Sequence, residues 1–390
     1  MEKSLVKKRG SAAMFFLCPA AHVIALLGAG FVALFFALRH DTEKMRFFSL
    51  RVVQPLHHTL ARLTAHLSFS LAEWLYAAAI AGALLYIVAE LVLLVRRPEW
   101  LKRLYRLLMR LLALVLGVYA LFCLMWGVYY YGDDFIARSG LELREISADE
   151  LELTTLYFAD LLNNYSTQVP RDEAGLCRTD KQAVLVRSAG IFQAVEQDFP
   201  CLSGPDVPAK GMFFSRALSI MDYTGFFCPF TAEASVSTDF PAAFFAATVA
   251  HELSHQRGVA KEQEANFVAV LASLMSGDPD YCYSACLFAY THLANALAGV
   301  DRAALSMIEA GLCGGVRADL SENNRYWAQF ETPVQAVTNT VYEGFLHSYE
   351  QPLGLRSYGA CVDLLVGYYK DIARARLVSL PAAGESDLEK

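Results

Sequence analysis

Three apolar runs in the first third of the chain constrain its architecture more than anything else in the sequence. They extend from Ala12 to Leu38, from Leu71 to Val95 and from Leu111 to Tyr131. Each exceeds the ~20 residues that carry a helix across a bilayer core. One such run could be a buried core helix. Three in succession read as membrane spans, the more so because only 19 % of the residues are charged and 55 % are apolar, against about a quarter charged in soluble proteins. The first run is too long for the ~7–15-residue core of a signal peptide, and no small-x-small cleavage site follows it. Cys18 follows Phe15-Phe16-Leu17, which does not fit a lipoprotein cleavage site.

Basic residues orient the spans. Lys3, Lys7, Lys8 and Arg9 precede the first; Arg96, Arg97, Lys102, Arg103, Arg106 and Arg110 lie between the second and third. Asp133, Asp134, Glu142 and Glu145 follow the third. The positive-inside rule therefore places the N-terminus and the 96–110 loop in the cytoplasm and everything after residue 131 outside. Arg39, Lys44, Arg46, Arg51 and Arg62, in the loop between the first two spans, pull the other way. Glu73 and Glu90 sit near the ends of the second run, where their side chains are expected to reach the interface.

Net charge is -7, with no Lys/Arg-rich run interleaved with aromatics, so nucleic acid is not an expected partner. Of the nine cysteines, seven follow residue 132, an odd number that cannot all pair within the chain. Cys282 and Cys286 are expected to pack in a helix.

Beyond the spans, Ser147 followed by Glu150 fits a capping box, and leucines at helical spacing follow, so 147–200 reads as helical. Residues 201–212 carry loop chemistry. "GFFCPFTAEASVST", Gly225 to Thr238, reads as one or two short strands, with Pro229 at a strand end or sheet edge. Such an edge could take up an extended peptide, and Glu233 could then meet a substrate amine or remain a solvated turn residue. Pro241 opens a helix, Gly258 suits its C-terminus, and a second helix begins near Lys261.

Those two helices hold an unusual concentration of titratable groups. His251-Glu252-Leu253-Ser254-His255 places two imidazoles at i and i+4, stacked on one helical face, where they can bind one zinc ion. Glu252 can reach a metal-bound water as general base. A catalytic site needs a third ligand. Glu262 and Glu264 are the nearest, on different faces of the second helix. Glu262 is the first choice because Asn266, one turn later, could hydrogen-bond a ligand from behind; Glu264 is the alternative. An oxyanion donor is sought first in Tyr358, then in Tyr223, His292 and His347.

"HELSHQRGVAKEQEANF" resembles the gluzincin metallopeptidases, in which the H-E-x-x-H helix is completed by an E-x-x-x-D-like helix; here Asn266 stands where many such enzymes have Asp. The chain is more closely similar to a bacterial membrane-protein family described as domain of unknown function 3810, through the three spans, "WGVYYY", "FCPFTAEASV", the histidine motif, "NRYW" and "SYGACVDLL". The resemblance implies a zincin-like α+β metallopeptidase domain and supplies no substrate.

The expected architecture is mainly α with a small β element. A membrane domain, 1–131, carries three transmembrane helices, an extracytoplasmic zincin-like domain spans 132–378, and a disordered tail covers 379–390. The expected protein is a multi-pass component of the bacterial cytoplasmic membrane with its N-terminus inside. It would use Zn2+ to hydrolyse peptide bonds of peptides or envelope proteins, peptidoglycan cross-bridges being a variant, under the control of an unidentified membrane partner. The alternative is a catalytically silent zinc-binding sensor or scaffold of the envelope. Glu252 favours the enzyme, since a silent protein needs no general base. Three spans without paired central charges offer a transporter no pathway.

Overall fold

The computed structural model describes residues 16–96, 99–142, 144–351 and 358–379. The basic residues Lys3, Lys7, Lys8 and Arg9, the first residues of the first apolar run, Arg97 and the expected tail beyond Ser379 lie outside the described residues. Among the described residues helices take up 74 % and strands 3 %, so the chain is mainly α with a small β element.

Among the described residues three helices are long and apolar enough to cross a membrane. The first is α1, Pro19–Leu38. Helical segments α2, Thr42–Phe47, and α3, Gln54–Thr64, follow, joined through a wider turn over Phe48–Val53. The second long helix is α4, Leu71–Arg96. The third is α5, Trp100–Phe122, which runs through Cys123–Gly127 into α6, Val128–Tyr131. It begins ahead of the expected Leu111 because the intervening basic residues propagate a helix as readily as apolar ones do. Leu84, Leu85 and Val95 of α4 are largely exposed, as on a surface that lipid covers.

Contacts divide the chain into two units. One takes in Leu71–Asp133, the chain up to Leu56, and Pro229–Thr231; the other is made of His57–Ser70, Asp134–Cys228 and Ala232 onward. In the first, Gly28 of α1 meets the backbone of Leu116, and a Cβ there would stand 3.0 Å from its carbonyl carbon. Glu90 of α4 stands near two arginines of α5. It lies 3.8 Å from Arg103 and 3.9 Å from Arg110, while Glu73 is buried.

The second unit is a helical bundle with a three-stranded sheet. The short helix α7, Phe135–Ser139, is capped by Asp134. Then comes α8, Ala148–Ser166, whose capping box pairs Ser147 with Glu150. The helical reading of 147–200 fails after Ser166: Arg171 and Cys177 bridge across a loop, and only short helices such as Lys181–Arg187 follow. The Arg171 guanidinium and Asp319 carboxylate, 3.0 Å apart, hold that loop.

Strand β1 is Lys210–Gly211, β2 is Gly225–Cys228 and β3 is Glu233–Val236. Their order is β1-β3-β2, with β1 parallel and β2 antiparallel to β3. Pro229 follows the end of β2, as a residue without an N–H donor should. Against the buried β3 lies α9, Phe245–Gln256. It is followed by α10, Glu262–Ser276, and α11, Pro279–Val300, which packs on α8. Later helices include α12, Pro333–Ser348, and α13, Tyr358–Ser379. All nine cysteines are free, with Cys282 and Cys286 buried in α11.

Glu233 is neither a solvated turn residue nor a free carboxylate for a substrate amine. It is 2 % exposed, and Lys210 Nζ donates to its Oε1 at 2.5 Å and to the Thr64 carbonyl at 2.6 Å. The pairing follows from register: Lys210 lies opposite Ser235, two residues from Glu233 on the same face of β3. Removing one partner strands a buried charge. Glu233→Leu alone should therefore destabilise the protein by about 3–5 kcal/mol. Combining it with Lys210→Met should recover most of that loss, as read by denaturant unfolding of the full chain in detergent.

Candidate functional site

Helix α9 carries His251 and His255 one turn apart. Gly258, at φ +80°, ends it by taking the left-handed conformation that glycine adopts without strain. The chain then turns back, so that α10 starts at Glu262 beside the two histidines. The Glu262 Oε2 atom lies 3.3 Å from His251 Nε2 and 3.7 Å from His255 Nε2. The two Nε2 atoms are 3.0 Å apart and the rings are perpendicular. One ligand atom from each of the three residues falls within 4.8 Å of the others, so the group could hold a metal ion.

The donor set suits a divalent cation. His255 Nδ1 faces the Val259 carbonyl at 2.7 Å. A carbonyl only accepts, so Nδ1 carries the proton, and in the neutral ring Nε2 then offers its lone pair to the cluster. The turn at Gly258 is what aims that carbonyl. Burial opposes a charge on His255, but Glu262, joined by Glu252 and the Val259 carbonyl, raises the imidazole to about 9. Glu262, despite its own desolvation, is held well below the usual carboxylate range by His255 and His251. The cluster thus favours positive charge between its members.

Glu252 is 4 % exposed. Its side chain makes no hydrogen bond or ion pair among the described residues, and Oε2 is fully buried. Burial pushes its carboxyl up to about 7, against the pull of His251 and His255. Buried carboxylates are rarely left unpartnered, and this one stands where a bound water or substrate could complete it. Strand β2 passes directly over it: a Cβ on Gly225 would lie 2.7 Å from Glu252 Oε1 and 2.9 Å from the Ser235 carbonyl.

Glu264 is not part of this cluster. It is 1 % exposed and accepts from the Phe135 backbone N–H at 2.8 Å; among the described residues Glu262 is the third member. Asn266 does not support a ligand as expected, since its side chain bonds none of the three residues. One helical turn does not bring its short amide to the cluster. That role falls to Tyr342 on α12, whose hydroxyl donates to Glu262 Oε1 at 2.6 Å and leaves Oε2 for the histidines. Nothing in the sequence marks Tyr342 among nineteen tyrosines.

Of the oxyanion candidates, Tyr223 has its ring edge-on to Tyr342 at 5.7 Å, and its hydroxyl pKa is raised by burial and then by Glu262. His292 is buried against Phe288, its pKa lowered to about 4 by burial with a contribution from His251. His347 is half-exposed and faces Glu343 at 3.8 Å, away from the cluster. Tyr358 opens α13, and its side chain lies outside the described residues.

A family model described as "Protein of unknown function (DUF3810)" matches residues 48–366, from the helical turn before α3 to the middle of α13. No curated protein and no solved structure matches the chain.

The close approach at Gly225 gives a direct check. Gly225→Ala should destabilise the protein by about 1–3 kcal/mol through overpacking, seen as a lowered unfolding midpoint. An alanine on the far side of the hairpin face, at a position without such a contact, sets the baseline.

Proposed function

The chain belongs to the DUF3810 family, and within that family we propose that this protein is a membrane-anchored zinc metallopeptidase acting on peptides or envelope proteins. The observation that carries the reading is the convergence of His251, His255 and Glu262 beside a buried carboxylate, Glu252, that has no hydrogen-bond or ion-pair partner among the described residues. Two imidazoles and a carboxylate are a donor set that suits zinc, with a further position left for water.

Zinc held there would supply a Lewis acid that polarises a substrate carbonyl. The chain's own residues account for the rest. Glu252, poised near neutrality by burial, takes the proton of the attacking water and delivers it to the leaving amine. An extended peptide can lie along the outer edge of β2, to which no strand pairs among the described residues. Gly225 brings that edge close enough to Glu252 for the scissile bond to reach it. Tyr342 fixes the orientation of Glu262, and the Tyr223 hydroxyl stands in the same neighbourhood as a donor to the developing oxyanion.

The proposed location is the cytoplasmic membrane of a bacterium, with the site outside. Residues 57–70, between the first two long helices, belong to the same unit as the site. Two crossings separate 57–70 from 134 onward, so both lie on one side, as three spans require. The basic residues between α4 and α5 favour the cytoplasm for the opposite side.

Because 57–70 is part of the site-bearing unit, the test uses the full chain in detergent, as wild type, His251→Ala and Glu252→Gln. Bound metal and cleavage of a mixed peptide library are measured. Wild type should hold about one zinc per chain and cleave. His251→Ala should lose the metal, and Glu252→Gln should keep it while losing at least about 100-fold in rate. Zinc binding with no cleavage in any form would move the silent sensor or scaffold ahead. No metal in wild type would overturn the reading altogether.

A further inference from the structure

Helix α10 begins at the proposed metal ligand itself, yet its start is not fixed locally. Lys261, at the N-cap, makes no side-chain capping bond, and a helix start without a cap is prone to fray. What replaces the cap comes from the chain just past the third span. Lys261 Nζ pairs with Asp134 at 2.5 Å. Glu264 Oε2 accepts from Phe135 N–H at 2.8 Å. Arg138 donates to the Gly258 carbonyl at 3.3 Å and to the Cys201 carbonyl at 2.6 Å. Three residues around Glu262, at positions 258, 261 and 264, are thus tied to one short segment, 134–138. The same segment is anchored in the core by Phe135, whose ring meets Phe267 of α10 at 6.1 Å.

We propose that Glu264 is a positioning residue for the metal site, bracing the first turn of α10 against the segment that leaves the third span so that Glu262 meets His251 and His255. The proposal rests on the metal reading above and adds to it a dependence of the site on residues 134–138. Tyr342 holds Glu262 from the side of α12; Glu264 holds the backbone from which Glu262 projects.

The test loads the full chain in detergent with Co2+ and with Zn2+, for wild type, Glu264→Ala, Glu264→Gln and Asp134→Asn. Visible absorption of the cobalt form reports ligand geometry, and a chelating dye in competition reports zinc affinity. Glu264→Ala should weaken zinc about 10-fold or more, as loss of outer support does at metal sites, and should shift the cobalt bands. Glu264→Gln keeps an oxygen acceptor for Phe135 N–H and should stay near wild type in both. Asp134→Asn, which removes the ion pair and keeps the Phe135 bond, should fall between and covers the case in which Glu264→Ala does not fold. A lowered unfolding midpoint with unchanged cobalt bands and zinc affinity in the folded variants would overturn the positioning role and leave the metal reading standing. Failure of wild type to bind either ion would remove both.

Discussion

The turn at Gly258 is the constraint from which the rest of the site follows. One helix can present two side chains on a face, at i and i+4, but a third must come from elsewhere. Here it comes from the next helix, and only because the chain reverses within a few residues. Gly258 at φ +80° makes that reversal without strain. Val259 then gives its carbonyl to His255, which sets the tautomer and the ring plane. Glu262 arrives at the head of α10, where the helix terminus also favours a carboxylate. One backbone event thus orders the first residue, the second and the third.

Buried charge elsewhere in this unit is matched, and the contrast isolates the site. Glu233 has Lys210, Asp319 has Arg171, and Arg257, 2 % exposed, has Glu196. Each arrangement spares the fold an uncompensated ion in a low-dielectric interior. Glu252 departs from the pattern: it is as buried as these and makes no hydrogen bond or ion pair among the described residues. A stability argument gives no reason to keep a carboxylate there, since an apolar residue of like size would pack with less penalty. Under the proposed function a chemical argument does, because a general base must leave its acceptor orbitals free until a water arrives.

The long helices were legible in the sequence because hydrophobic runs are local, and so was the face shared by His251 and His255, a matter of helical period. Gly258 and Pro229 were legible because backbone chemistry restricts where they can sit. The preference for Glu262 over Glu264 rests on a contact with Asn266 that does not form; what separates the two is that Glu262 lies beside the histidines while Glu264 turns to Phe135. The links that fix the site were hidden. Tyr342 meets Glu262 across 80 positions, and Lys261 meets Asp134 across 127. Single polar residues have no period, and their partners are set by how helices pack. The pairing of Glu233 is hidden because a lone carboxylate between two alanines, with Thr231 and Ser235 beyond them, resembles an exposed edge, while β3 lies at the centre of its sheet.

The placement of 57–70 changes what the membrane part is for. A tether would need only to hold the second unit near the bilayer, and any apolar helix would serve. Here Thr64 accepts from Lys210, Ser70 bonds Ser235 at 2.8 Å, and the His57 ring meets Phe227 edge-on at 5.5 Å. Those contacts reach β1, β3 and β2 in turn, so a segment between two long helices finishes the sheet that lies on α9. At the other end, residues 134–138 brace the start of α10. Both elements that carry the proposed ligands are therefore supported by chain that enters or leaves the long helices. Residues 57–70 and 134–138, which border the long helices in sequence, are therefore part of the scaffold of the candidate site.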